Sequence, residues 1–178
     1  MDLDGWLDSW AVRTHHRRVS PADAHTLWAE AGAVRLRDCR LLGRLIRARI
    51  PGLGRDQTFG ALFRTDPFNV LEEGPTWLAS GLCGRIWTLR RDFTVLADPA
   101  DFRTWQVPGT ARVLFAHWAE PAPTGSVLVS EVRVGAVDRR AEFYVRGLGP
   151  FIAAFQGLVA LEPLALATER AAARTAHR

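Results

Sequence analysis

Thr110–Glu120 (TARVLFAHWAE) and Ser126–Gly135 (SVLVSEVRVG), separated by Pro121–Gly125, decide the fold. Both segments are rich in β-branched and aromatic residues, so they read as two long strands of an antiparallel hairpin. From Asp138 to about Thr175 the period becomes helical, with Asp138 as a cap and Phe143, Phe151, Ile152, Phe155, Leu158 and Val159 in one apolar stripe. Gly147-Leu148-Gly149-Pro150 is expected to kink or break that helix, as is Pro163, because each proline removes a backbone donor and clashes with the preceding turn. Strands followed by one long helix make an α+β arrangement.

Toward the N-terminus, Phe68–Glu73 and Thr76–Cys83 read as strands joined by a tight turn at Gly74-Pro75. Gly84 allows a bulge, after which Arg85–Arg91 is expected to continue the sheet. Asp98-Pro99-Ala100-Asp101 opens one helical turn ending near Trp105. At the start of the chain, Trp10–Val19 suits a first strand, and Ser20-Pro21-Ala22-Asp23 then starts a helix, with Ser20 as the expected cap. Ala24, Leu27, Trp28 and Ala31 share one face of it. A second helix is expected to turn Leu41, Leu42, Leu45 and Ile46 inward and Arg37, Arg40, Arg44 and Arg47 outward, ending at Pro51-Gly52. The expected organisation is a lead over residues 1–9, a single domain over 10–175 and a frayed tail over 176–178.

Composition bounds the function. With 178 residues, 48% of them hydrophobic, the chain is long enough to bury a core without disulfides or metals. Seven Trp and nine Phe stand against one Tyr, which suits a core and equally the wall of a pocket for a flat or greasy ligand. All 23 basic residues are Arg, which explains a pI near 10.3 at a net charge of only +4. These arginines are scattered among 19 acids instead of forming a stripe, so no nucleic-acid partner is expected. Cys39 and Cys83 lack a CxxC spacing and read as reduced, mostly buried thiols. Asp2, Asp4 and Asp8 are unlike a secretory leader, and no apolar stretch was expected to reach the ~20 residues of a membrane span, so the expected location is cytoplasmic.

The element order resembles the START-like (SRPBCC, helix-grip) superfamily, especially its small bacterial members. The residues that carry the likeness are Val19-Ser20-Pro21-Ala22-Asp23-Ala24 with Leu27-Trp28, Phe68-Asn69-Val70-Leu71-Glu72-Glu73, Gly81-Leu82-Cys83-Gly84-Arg85-Ile86-Trp87, and Glu131-Val132-Arg133-Val134. The likeness spans nearly the whole chain from Trp10 onward, and none of these words is a catalytic signature. It implies a curved antiparallel sheet wrapped around a long C-terminal helix, two short helices after the first strand, and a cavity between sheet and helix. Gly147, Gly149 and Gly157 would remove bulk at that contact. Members of the superfamily include lipid and hormone carriers, polyketide aromatases and cyclases, and ligand sensors, so the fold alone does not choose a function.

Motifs for other chemistry are absent from the sequence. His15-His16 point to opposite faces of a strand, and His25, His117 and His177 have no ligand-like spacing, so no metal is expected. There is no GxSxG elbow, phosphate loop or dinucleotide fingerprint, and no cofactor is expected. What remains is acid–base chemistry in a pocket. By alternation His117 shares a face with Val113 and Phe115, while Glu131 and Arg133 share one with Val127 and Val129. If both faces lined one cavity, His117, Glu131, Arg133 and Tyr144 would form a catalytic set, with Arg85, Trp87, Phe115, Phe151 and Phe155 holding the ligand. The bland alternative leaves Glu131 and Arg133 on a solvated outer face, Arg85 in a structural ion pair and Trp87 in the core.

Three functions fit these residues. One is binding of a small hydrophobic or aromatic molecule in the cavity. Another is a polyketide cyclase, aromatase or dehydratase working by acid–base catalysis there. The third is an interaction protein with a filled core. A homodimer through a sheet edge is compatible with any of them.

Overall fold

The computed structural model describes residues 2–50, 52–88 and 92–176. Over them the chain runs β1 (Val12–Ser20), α1 (Ala24–Ala33), α2 (Leu42–Arg49), α3 (Phe59–Leu62), β2 (Asn69–Gly74) and β3 (Trp77–Gly84). It continues through β4 (Phe93–Thr94), α4 (Ala100–Thr104), β5 (Ala111–Ala122), β6 (Gly125–Ala136), α5 (Arg139–Leu161) and α6 (Pro163–Ala176). The six strands form one open antiparallel sheet in the order β1-β6-β5-β3-β2, with β4 added to β3. The architecture is α+β.

The β5–β6 hairpin is longer than its sequence pattern, because the loop shrinks to the two residues Pro123-Thr124. Gly125 makes this possible with a φ of +120°, and a Cβ there would collide with the Ser20 carbonyl. The pairing register follows from that turn: His117 faces Ser130 and Ala116 faces Glu131.

Several local expectations need correction. Asp23 caps α1, accepting from the Thr26 N–H at 2.9 Å, while Ser20 Oγ accepts from Ala22 N–H in the turn before it. Of the four residues expected to face inward, Leu42 and Ile46 are buried, whereas Leu41 and Leu45 are exposed. The first turn of α2 is held from far away in sequence, since the Glu162 carboxylate accepts from the N–H groups of Leu41 and Leu42, both at 2.9 Å. Helix α3, a segment to which no element was assigned from sequence, starts where Thr58 Oγ1 accepts from Ala61 N–H. Strand β3 ends at Gly84 (φ +148°), and Arg85–Thr88 forms a turn in place of the expected continuation of the sheet. Pro51 and residues 89–91 lie outside the described residues.

Helix α5 runs unbroken through Gly147–Pro150. Arg146, Gly147 and Pro150 are all exposed, so the bond that Pro150 removes is lost on the solvent side. The interruption falls instead at Glu162, and Pro163 occupies the first turn of α6. Arg139–Ala176 contains an 18-residue window of mean hydropathy 1.6, 28% of it buried in the fold, which by length and composition alone is apolar enough to cross a membrane. Phe143, Phe151 and Leu161 lie on its exposed side, and Gln156 and Val159 on its buried side.

Both faces of the sheet are covered. On the inner face α1, α3, α5 and α6 enclose a core that includes Leu27, Phe59, Leu78, Leu128, Val159 and Leu164. Arg174 anchors α6 to the buried Glu30 at 2.6 Å, and Arg170 anchors it to Asp38 at 2.8 Å. On the outer face Phe102 of α4 meets Leu114, Leu71 and Cys83, together with Trp6 and Leu7 from the segment expected to be a lead. Leu7 is 1% exposed, so that segment is part of the packed structure.

Candidate functional site

A cavity of about 650 Å³ lies between the inner face of the sheet and α5. Val113 and Phe115 of β5 and Val132 and Val134 of β6 form its floor, because alternate residues of a strand share one face. Ile152 and Phe155 of α5 roof it, and Ile46, Leu62 and Phe68 close one side. Gln156 is the one polar side chain among the described residues that line it. Such a chamber can bury hydrocarbon or an aromatic ring, and it offers very little to orient charge.

The residues expected to hold a ligand divide. Phe115, Phe151 and Phe155 line this cavity, Phe151 at its edge with 74% of its surface exposed. Arg85 and Trp87 do not line it, whereas Ile86 between them does. Arg85 sits in the turn after β3 with Nε 3.6 Å from Asp92, the structural ion pair weighed as the bland alternative. Trp87 stacks on Tyr144, with ring centroids 5.2 Å apart and planes 18° from parallel. Tyr144 is thus held at the start of α5 and is 39% exposed, away from the other three residues expected to be catalytic. The glycines expected to make room for the cavity do not do so: a Cβ on Gly147 or Gly157 would meet nothing within 4 Å, and none of the three lines it.

Glu131 and Arg133 lie on the outer face, in register with Ala116 and Leu114. They are not solvated, since both are below 10% exposed. The Glu131 carboxylate accepts from Arg13 Nε at 3.0 Å and Nη2 at 2.9 Å, and from Arg133 Nε at 2.6 Å. His15 Nδ1 lies 2.9 Å from the same group and must carry the proton, because an ionised carboxylate only accepts. Burial pushes the Glu131 carboxyl upward, but hydrogen bonds from Arg13, His15 and Arg133 outweigh it and bring the pKa down to about 2. Arg133 Nη1 also donates to the Leu7 carbonyl at 2.9 Å and to Asp4. The Trp10 ring lies over Arg133, 4.4 Å from the guanidinium carbon. Both Glu131 oxygens are engaged by these donors, and through Arg133 the cluster pins the N-terminal segment to the sheet.

His117 stands on the inner face. It is 4% exposed, with its ring 5.1 Å from Phe59 and 4.5 Å from Phe63. Burial alone lowers its pKa to about 3, so the imidazole is neutral at neutral pH. It lines a second, smaller chamber of about 360 Å³ between α1, α3, α6 and the sheet. The structure therefore places His117 on one side of the sheet and Glu131 and Arg133 on the other, with Tyr144 stacked on Trp87 near the start of α5, so the four do not form one catalytic set. Phe59, Phe63 and Phe68 also wall these cavities and were not foreseen, because the segment holding the first two shows no pattern to which an element was assigned. Among the described residues no group of three or more His, Cys, Asp or Glu side chains is placed to hold a metal ion.

No family model matches the chain, and no curated protein matches it. Among solved structures, protein MLL2253 from Mesorhizobium loti aligns over 83% of this chain and 96% of its own length, at 18% identity and a TM-score of 0.31. A likeness that weak in shape carries no argument about fold or function.

Proposed function

We propose that the protein binds a small hydrophobic or aromatic molecule in the chamber between the sheet and α5. The observation that carries this reading is the lining of the ~650 Å³ cavity, which is hydrocarbon and aromatic except for Gln156. Burying an apolar ligand there would return on the order of 25 cal/mol for each Å² removed from water. The START-like resemblance, with its helix-grip fold, supports the same reading by implying a ligand chamber in this position. Acid–base catalysis by His117, Glu131, Arg133 and Tyr144 requires those groups to converge, and they stand in three places. Binding without turnover is therefore the function put forward.

The test is native mass spectrometry of the purified chain, followed by titration with a neutral fluorescent probe such as N-phenylnaphthylamine. Val113 is buried on the cavity floor, so Val113→Trp fills the space from a rigid strand. The expected result is one bound probe per chain in the wild type and at least about a tenfold loss of affinity in the variant. A wild type that takes up neither probe nor co-purifying molecule, or a Val113→Trp variant that binds equally well, would overturn the reading.

A further inference from the structure

The inner face carries a polar row in the middle of an otherwise apolar surface. His16 on β1, Ser130 on β6 and His117 on β5 are register partners in sequence across three adjacent strands. Thr14 lies two residues from His16 on the same face of β1. His117 Nδ1 and Nε2, Ser130 Oγ, His16 Nε2 and Thr14 Oγ1 are all buried, and none has a hydrogen-bond partner among the described residues. Buried polar atoms in native proteins nearly always have partners, so five orphans in one patch mark a place where something else supplies the hydrogen bonds. The smaller chamber lies against this patch: His117 forms part of its wall, with Phe59, Phe63, Trp28 and Leu164 around it.

We propose that this ~360 Å³ chamber is a second binding site, taking a small neutral molecule, or the neutral end of one, that carries both a hydrogen-bond donor and an acceptor, as a primary carboxamide does. His117 is the residue that contacts the ligand, since of the residues with orphaned atoms it is the one that lines the chamber. Whichever nitrogen of neutral His117 meets the ligand offers either an N–H to its carbonyl or a lone pair to its N–H, and a primary carboxamide can satisfy either case. Nothing in the wall favours an ion. Arg64 is the one residue with a formal charge among the described residues lining the chamber. Its Nε and Nη2 are held by Glu73 at 3.0 and 2.9 Å, and its Nη1 donates to the Gly60 carbonyl. An anion would thus find no uncommitted cation, and a cation no uncommitted carboxylate.

This site does not depend on the apolar cavity. The two chambers share only Phe59 and Phe63 among their lining residues, and Val113 belongs to the larger one alone. Failure of one proposal therefore leaves the other standing.

The experiment titrates the full chain with benzamide, toluene and benzoate at neutral pH, following the imidazole nitrogen resonances of His117. Benzamide is expected to shift the His117 ring nitrogens, while toluene leaves them in place and benzoate binds at least about tenfold more weakly. His117→Phe should weaken benzamide by a similar factor, and His117→Gln, which keeps a donor and an acceptor, should recover most of the affinity. Val113→Trp should leave benzamide binding unchanged. If benzamide at saturating concentration fails to move the His117 signals, the chamber holds ordered water only and the proposal is wrong, whether or not the variants fold. Equal affinity for benzamide in folded His117→Phe protein would overturn it as well.

Discussion

His117 and Glu131 are diagonal neighbours on adjacent strands, yet their side chains leave the sheet in opposite directions. His117 pairs with Ser130 and Glu131 with Ala116, so a single residue step separates an apolar, partnerless environment from a saturated ionic one. That parity divides the two faces: the inner face lines apolar cavities, and the outer face fastens the N-terminal segment.

Glu131→Gln should destabilise the protein by about 2–3 kcal/mol, below the ~3–5 kcal/mol of a fully buried pair because Arg13 and His15 reach solvent. Removing the negative charge leaves the buried Arg133 guanidinium beside Arg13 without its main counter-ion. Urea denaturation at neutral pH measures the loss. Probe binding in the larger cavity should be unchanged in the folded variant, because the carboxylate lies on the other side of the sheet.

Stability should fall with acid in two stages. His117 titrates near 6.5 when unfolded and about 3 when folded, so its contribution is complete above 6.5 and is lost as pH falls toward 3. Glu131 titrates near 4.5 when unfolded and about 2 when folded, so its contribution holds above 4.5 and disappears as pH falls toward 2. His16, lowered by burial and by the neighbouring His15, acts with the same sign as His117. Between about 6.5 and 4.5 the histidines dominate this pair of effects. His117→Gln should flatten the unfolding free energy in that window, while Glu131→Gln should flatten it only below.

Gly81→Ala should cost about 1–3 kcal/mol through overpacking. The new Cβ would lie 2.5 and 2.9 Å from two ring carbons of Phe102, which is fully buried against β3. Combining it with Phe102→Leu should give a smaller penalty than the sum of the two single changes, as a thermal-denaturation cycle would register.

Cys39 and Cys83 should resist iodoacetamide in the native protein and react together once it is denatured. Both are free and buried, and burial pushes each thiol up to about 12, leaving almost no thiolate at neutral pH. Mass spectrometry of labelled protein counts the adducts. Rapid modification of either cysteine in folded protein would contradict the packing described for it.

Sequence alone determined much of the scaffold. The period-two runs placed β5 and β6, the helical stripe placed α5 and α6, and the Gly74-Pro75 turn placed the β2–β3 hairpin, because backbone sterics and alternation act over a few residues. Alternation also grouped His117 with Phe115 and Glu131 with Arg133 correctly within each strand. What it could not supply was the relation between the two strands, since a five-residue loop at Pro121–Gly125 leaves the register open. The observed two-residue turn closes it, and Gly125 was the available signal.

Tertiary structure decided everything that depends on which element covers which face. Leu3, Trp6 and Leu7 cover the outer face from a segment with no periodicity of its own. Phe59 and Phe63 bring a short helix against His117, 54 or more residues away in sequence. Glu162 caps α2 from the break between the two C-terminal helices. None of these contacts leaves a local pattern, because burial and hydrogen bonding are satisfied by whatever chain arrives in space. A strand states which of its residues share a face. Only the packed protein makes one face the floor of an apolar cavity and the other an ionic clasp.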